Sequence, residues 1–402
     1  MRRALSRSRS SDPNSFRISP DASSALNSGV FNMPLTIRIP ELILHENAAL
    51  HLEEHLKRLK IGNPLLVTDQ GLTKAGHAPR FLNSFKIRKP PVCFDLTREN
   101  PTALCVDLAT EIFRSEKCDA VIALGGGSVI DTAKLTAVTG THGGVAIDYL
   151  GKSHLITHKT CPIIAIPTTA GTGSDASPGA GIHPTSTEAS RGVNSPHLIP
   201  RLAVCDPALT VTLPVQLIAA TALDALSHCI EGFLATGDNL IADSLALEGV
   251  KMIKCFLPGA IEKNDLRCRE QLMLAAFYGG VAIGKGLGAA HSIAISCGDQ
   301  GIHHGVLSAL GLVAILDRMD ASLPEDCQRL KRALGVKSSM SLSDVIRDML
   351  KEFGLPESLT GSGYVMTDLD ALARTCLESH FNRTSRVQFS QSDFRSMLLS
   401  VM

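Results

Sequence analysis

The chain has 402 residues, with 39 basic and 39 acidic side chains and therefore no formal net charge. That balance excludes a protein whose main work is electrostatic binding to nucleic acid or to an acidic surface. Apolar residues make up 44%, enough for a large core, and the length suits two domains rather than one.

The chain opens on "MRRALSRSRSSDPNSF", rich in Arg and Ser with Asp12 its only acid. That composition suits an organellar transit peptide, and equally an unstructured extension over residues 1–32. Ordered patterning starts at Met33. Four short apolar runs then read as buried strands: "PLLVTD" (Pro64 to Asp69), "AVIALGGGS" (Ala120 to Ser128), "CPIIAIPTT" (Cys161 to Thr169) and "RLAVCDP" (Arg201 to Pro207). Helical stretches such as "PTALCVDLATEIFRSEKC" lie between them, so the expected fold is α/β with a parallel sheet and right-handed crossovers over 33–212. After "TLP" (Thr212 to Pro214) the pattern turns helical. Pro214 to Thr236, Leu240 to Phe256 and Asp265 to Ile283 read as helices, which makes 213–402 an all-α second domain. Apolar stretches are broken before about 18 residues, so no membrane span is expected. The eleven cysteines contain no CxxC pair and read as reduced thiols, which points to the cytoplasm.

Two loops follow predicted strands. "ALGGGSVIDTAK" (Ala123 to Lys134) passes from a strand through three glycines into a helix. Glycines allow close backbone approach, and the helix start offers unpaired N–H groups to a pyrophosphate. Ser128 is the predicted N-cap, with Asp131 three positions on. It is not the usual GxGxxG fingerprint, and a turn without a ligand is the alternative. "PTTAGTGSD" (Pro167 to Asp175) offers hydroxyls at the end of another strand. Asp69 ends the first predicted strand. There it can bind a ribose 2′-OH, which favours NAD over NADP, or it can cap a turn. "ENPT" (Glu99 to Thr102) by itself is only a helix-start signal.

In "TALDALSHCIEGF", Asp224 and His228 are i and i+4, on one helix face about 6 Å apart at Cβ. His291 ends the glycine-rich "GKGLGAAH", and "GIHHG" holds His303 and His304. One carboxylate and three imidazoles can hold a divalent cation, and each histidine can also be an ordinary core or surface residue. Spacing alone leaves both readings open.

"GGGSVIDTAK", "PTTAGTGSD", "DALSH", "GLGAAH" and "HHG" together resemble, in order and spacing, the iron-containing (group III) alcohol dehydrogenases. "LLVTDQGL", "HLIPRLAVCDPALT", "HCIEGFLA", "KGLGAAHS" and "HHGVLSA" are similar, within that family, to bacterial 4-hydroxybutyrate dehydrogenases. The resemblance implies a dehydroquinate synthase-like fold, an α/β NAD-binding domain followed by a helical metal domain. It implies metal ligation by Asp224, His228, His291 and His304, with Fe2+ expected and Zn2+ also suited. It implies NAD contacts from Asp69, Asn100, Gly126, Gly127, Ser128, Asp131, Thr168, Thr169 and Thr172. A small alcohol or aldehyde substrate such as succinic semialdehyde follows, as does a homodimer or higher homo-oligomer, with no nucleic-acid or membrane partner.

The chain departs from the family pattern at several places. Ile295 stands where the family usually has a second histidine, often called a proton relay. Arg191 stands where the family often has a Lys near the nicotinamide. "NRTS" (Asn382 to Ser385) replaces an Asn-Pro pair. His303 is then a candidate relay, and Arg191 a candidate for cofactor or substrate. Other chemistries of the same fold stay as alternatives: glycerol dehydrogenase, maleylacetate reductase and dehydroquinate synthase. So does a homologue that binds NAD and metal with little turnover.

Overall fold

The computed structural model describes residues 37–402, so the expected 1–32 extension lies outside the described residues. The four predicted strands are present, and two further strands flank them. In chain order the sheet is built from β1 (Glu41–Leu44), β2 (Pro64–Asp69), β3 (Val92–Thr97), β4 (Ala120–Gly125), β5 (Ile163–Pro167) and β8 (Leu202–Cys205). All pairs are parallel and the spatial order is β1-β8-β5-β4-β2-β3. β6 (Gly179–Ile182) and β7 (Arg191–Asn194) form a separate antiparallel hairpin.

β4 and β5 are buried along their whole length, as expected of central parallel strands covered on both faces. The alternation of the pleat divides their side chains between two cores. Ile122, Leu124, Ile164 and Ile166 pack on one side, Val121, Ala123, Ile163 and Ala165 on the other. The edge strands β1 and β3 are only partly buried, so they lack the continuous apolar run that marks their central neighbours.

The α/β half also carries α1 (Leu52–Arg58), α2 (Gln70–Lys74), α3 (His77–Leu82), α4 (Ala103–Ser115) and α5 (Gly127–His142). The helical half holds α6 (Val215–Leu234), α7 (Leu240–Glu262), α8 (Leu266–Ala282), α9 (Ala289–Ser296), α10 (His304–Ser322), α11 (Pro324–Ala333), α12 (Leu342–Glu352), α13 (Leu369–Glu378) and α14 (Gln391–Ser400). α7 continues past the predicted Phe256 because Pro258 is accommodated inside it, at the loss of one backbone bond. α6 has the length and apolar character of a membrane span, with mean hydropathy 1.4, yet 94% of that stretch is buried inside the protein. It is the central helix of a core.

Residues 38–402 form one compact unit. Ala170 and Cys205, from the sheet side, belong to the same apolar cluster as the helical half. The closest approach is backbone on backbone. A Cβ on Gly280 of α8 would lie 2.2 Å from the carbonyl oxygen of Gly173, and Gly173 has a left-handed φ of 60°. Only glycine at both positions lets the loop after β5 sit this tightly on α8.

Candidate metal centre and cofactor loops

α6 places Asp224, His228 and Glu231 on one buried face, at spacings of four and three residues. α9 brings His291 against them, and α10 begins at His304. The approach of α10 depends on Gly305, where a Cβ would lie 2.0 Å from the Ala220 carbonyl oxygen of α6. One ligand atom each from Asp224, His291 and His304 lies within 4.8 Å of the other two. The Nε2 atoms of His304 and His228 stand 3.8 and 3.9 Å from Asp224 Oδ1. His228 lies outside the 4.8 Å group and joins it by this approach and by stacking on His291, centroid to centroid 4.9 Å. Asp224, His228 and His291 are buried, whereas the His304 side chain is 45% exposed, so the cluster opens on that side.

Two residues that the sequence reading did not single out hold this arrangement. Ser308 donates to Asp224 Oδ1 at 2.9 Å. Glu231 accepts from the backbone amides of Ala290 (2.8 Å) and His291 (3.0 Å), and its Oε2 meets His291 Nδ1 at 2.6 Å. This bond directs His291 Nε2 away from Glu231 and into the cluster. The signal in the sequence was a third ionisable residue on the apolar helix, on the same face as Asp224 and His228.

The electrostatics suit a cation. Burial pushes the Asp224 carboxyl up, but His228, His304, His291 and the Ser308 hydroxyl outweigh it and hold it at about 2. Burial drives the His291 imidazole well below its usual value, so its ring is neutral, as a ligand must be. His291 Nε2 and His228 Nδ1 are buried without a hydrogen-bond partner. Orphaned buried polar atoms are costly, and a divalent cation held by imidazole and carboxylate would satisfy His291 Nε2 directly. The residues fit the group.

His303 caps α10. Its Nδ1 accepts from the Gly305 amide at 3.1 Å, which leaves Nε2 of this half-buried ring as the other polar atom. Ile295 is partly buried on α9, one turn beyond His291. The tail residues around "NRTS" lie close to the cluster. Phe381, on the short helix His380–Thr384, meets the His291 ring edge-on at 5.8 Å, and the His380 ring lies tilted against Phe381 at 3.9 Å.

The predicted cofactor residues fall at the carboxyl ends of adjacent strands, around the point between β2 and β4 where the strand order reverses. Gly126, not Ser128, is the N-cap of α5. The backbone turns helical two residues earlier than predicted, so Ser128 stands in the first turn, and the amides of Gly127 and Ser128 precede the first intrahelical bonds, given by Val129 and Ile130 to Gly126 O. Thr172 packs on Gly127, where a Cβ would come within 2.7 Å, and Thr169 lies beside Gly126. Thr168 donates its backbone amide to Gly125. Asp69 does end β2, and its Oδ1 caps α2 by accepting from Leu72 N at 2.8 Å. Asn100 is exposed with φ 55°, just before α4. Asp131 has both oxygens occupied by protein, Oδ1 by the Ser174 hydroxyl (2.5 Å) and Oδ2 by Gly181 N (2.9 Å). Arg191 lies on the exposed β7 strand and pairs with Glu188 at 3.4 Å.

Comparison with known proteins agrees along the whole described chain. The iron-containing alcohol dehydrogenase model matches residues 40–207, and the C-terminal model of the same family matches 218–402. A 4-hydroxybutyrate dehydrogenase of Cupriavidus necator is 38% identical over 362 residues, which cover 86% of this chain and 94% of the relative. An alcohol dehydrogenase from Oenococcus oeni superposes with TM-score 0.86 at 26% identity, covering 92% of this chain and all of that one. A sulfoacetaldehyde reductase from Bifidobacterium kashiwanohense, solved in complex with NAD+, superposes with TM-score 0.84 at 26% identity, covering 92% of this chain and 99% of that one. Sheet, helical half and site-bearing segments are matched together, and the chain therefore belongs to the iron-containing alcohol dehydrogenase family of oxidoreductases.

Proposed function

We propose that the protein interconverts a primary alcohol and its aldehyde with NAD and a divalent metal, and that the pair is 4-hydroxybutyrate and succinic semialdehyde. The observation that carries the reading is the convergence of Asp224, His291 and His304 within 4.8 Å, beside a glycine loop that rests on α8. Asp224, His228, His291 and His304 would hold the metal, with iron expected and zinc suited to the same donors. Bound there, it supplies Lewis acidity at the substrate oxygen.

The chain's own groups do the rest. Glu231 keeps His291 Nδ1 engaged and so fixes which nitrogen faces the cluster. The amides of Gly127 and Ser128 at the start of α5 would hold the pyrophosphate. Asp69, at the end of β2, would face the ribose of a bound NAD and disfavour a 2′-phosphate. NAD bound at these loops would supply the hydride acceptor, and the alcohol proton would leave through His303 Nε2 or water, since Ile295 cannot carry it.

The 38% identical relative supports the substrate, and so does the chemistry near the cluster. Phe381 offers an apolar wall beside His291 for the methylenes. His380 and Arg383 stand on the same turn, and Arg383 has no carboxylate within salt-bridge distance among the described residues. They suit the distal carboxylate better than Arg191, which pairs with Glu188 on an exposed strand. The eleven cysteines are all free, which supports a cytoplasmic setting. The test is NADH oxidation by metal-reconstituted protein across an aldehyde panel. A kcat/KM for butyraldehyde equal to or above that for succinic semialdehyde would replace the carboxylate reading with a general alcohol dehydrogenase.

A further inference from the structure

Lys134 has no role in the chemistry above, yet it is completely buried. It stands on α5, two turns from the Gly126–Gly127 turn and three residues from Asp131, so both side chains project from the same helix face. Its Nζ donates to the carbonyl oxygens of Ser177 (2.8 Å) and Gly179 (2.7 Å), with the Ser177 hydroxyl at 3.3 Å. Asp131 takes the Ser174 hydroxyl and the Gly181 amide. Residues 174–181 are thus gripped at four successive points by one helix face.

This segment continues directly from Thr172, which packs on Gly127, and from Gly173, which rests on Gly280 of the metal-bearing half. Gly171, one residue earlier, would place a Cβ 2.6 Å from Thr221 of α6, one turn before Asp224. The turn 171–173 that leads into the gripped segment therefore touches both the start of α5 and the helix that carries the metal ligands. A buried ammonium is expensive to desolvate, and an apolar residue of similar volume often serves stability as well. What the charge and its fixed acceptors add is geometry.

We propose that Asp131 and Lys134 are positioning residues that set the loop 168–181 against the start of α5, and through it the cofactor's reach to the metal centre. The inference rests on reading the start of α5 as the pyrophosphate site. Asp131 acts here by holding Ser174 and Gly181, not by touching the cofactor. Lys134→Met keeps the volume and removes all three donated bonds. Ser174→Ala removes one bond to Asp131 and leaves the rest.

The experiment is a fluorescence titration of NADH on full-length, metal-loaded wild type and both variants, with metal content and the aldehyde KM measured in parallel. Loss of folded protein lowers the active fraction, but it does not change the affinity of what remains folded. The expected result is an NADH Kd raised about tenfold in Lys134→Met and about threefold in Ser174→Ala. Metal stoichiometry and aldehyde KM should stay within about twofold of wild type in both. An NADH Kd within twofold of wild type in folded Lys134→Met overturns the proposal. Should that variant not fold, an unchanged Kd in Ser174→Ala overturns it instead. Failure of the wild type to bind NADH would refute the pyrophosphate reading itself, a separate outcome from equal binding by wild type and variant.

Discussion

Glu231→Gln removes one charge and changes almost nothing in volume. In the wild type the carboxylate accepts three bonds, one at Oε1 from Ala290 N and two at Oε2 from His291 N and Nδ1. A glutamine can accept at one end only. With its NH2 toward Ala290, a buried amide loses its partner at a cost of about 1–3 kcal/mol. With its NH2 toward His291, the ring must become an acceptor at Nδ1, and the proton then sits on Nε2, the atom the cation needs. Changes to groups that orient metal ligands typically cost about 10–100-fold in affinity, or about 1.4–2.7 kcal/mol. We therefore expect the metal Kd of Glu231→Gln to rise by that factor, with NADH binding intact. Chelator competition on the purified variant measures it. A metal Kd within threefold of wild type would show that Glu231 does not orient His291, and the site would have to be rebuilt without it.

Gly305→Ala should push α10 away from α6, because the new Cβ meets the Ala220 carbonyl at 2.0 Å. The overpacking costs about 1–3 kcal/mol, and normal metal content in this variant would contradict the role given to the α6–α10 contact. Asp69→Asn keeps the α2 cap but removes the charge, so kcat/KM with NADPH should rise relative to NADH by about tenfold; an unchanged ratio means the carboxylate does not face the ribose. Lys134 supplies a pH signature. Burial pushes its ammonium down to about 8, against the pull of Asp131 and Asp175, while the unfolded chain keeps the ordinary 10.5. Between those values the unfolded state holds a proton that the folded state has released, so this group's contribution to stability rises with pH. Urea melts at about pH 7.5 and about pH 9.5 should show wild type gaining on Lys134→Met at the higher pH, and a constant gap would refute the shift.

Central strands, site-bearing helices and the loops that end β4 and β5 were legible in the sequence because each is strongly patterned. β1 and β3 were not, since a half-exposed edge strand mixes apolar and polar residues without a clear period. The β6–β7 hairpin, written in "GAGI" and "RGVN", carries little side-chain signal of any kind. The α5 cap was misplaced by two residues because Ser is the better side-chain cap, whereas this turn is decided by backbone packing of Gly127 on Thr172. Asp69 proved to be a helix cap at a strand end, the second of the two readings offered for it. Glu231 and Lys134 escaped for the same reason. Their partners are backbone atoms 43 to 60 residues away, and local spacing says nothing about those.

Because α6 is at once the centre of the helical core and the carrier of Asp224, His228 and Glu231, ion binding and folding are coupled through one element. Stripping the cation would leave the buried His291 Nε2 without a partner inside the helical core. An ion that binds only the folded chain raises its stability by RT ln(1 + [L]/Kd), about 2.7 kcal/mol when free ion stands at 100 times Kd. Thermal midpoints should then track free metal concentration even with no cofactor or substrate present. The melting curve becomes a titration of the centre, independent of whether the enzyme turns over.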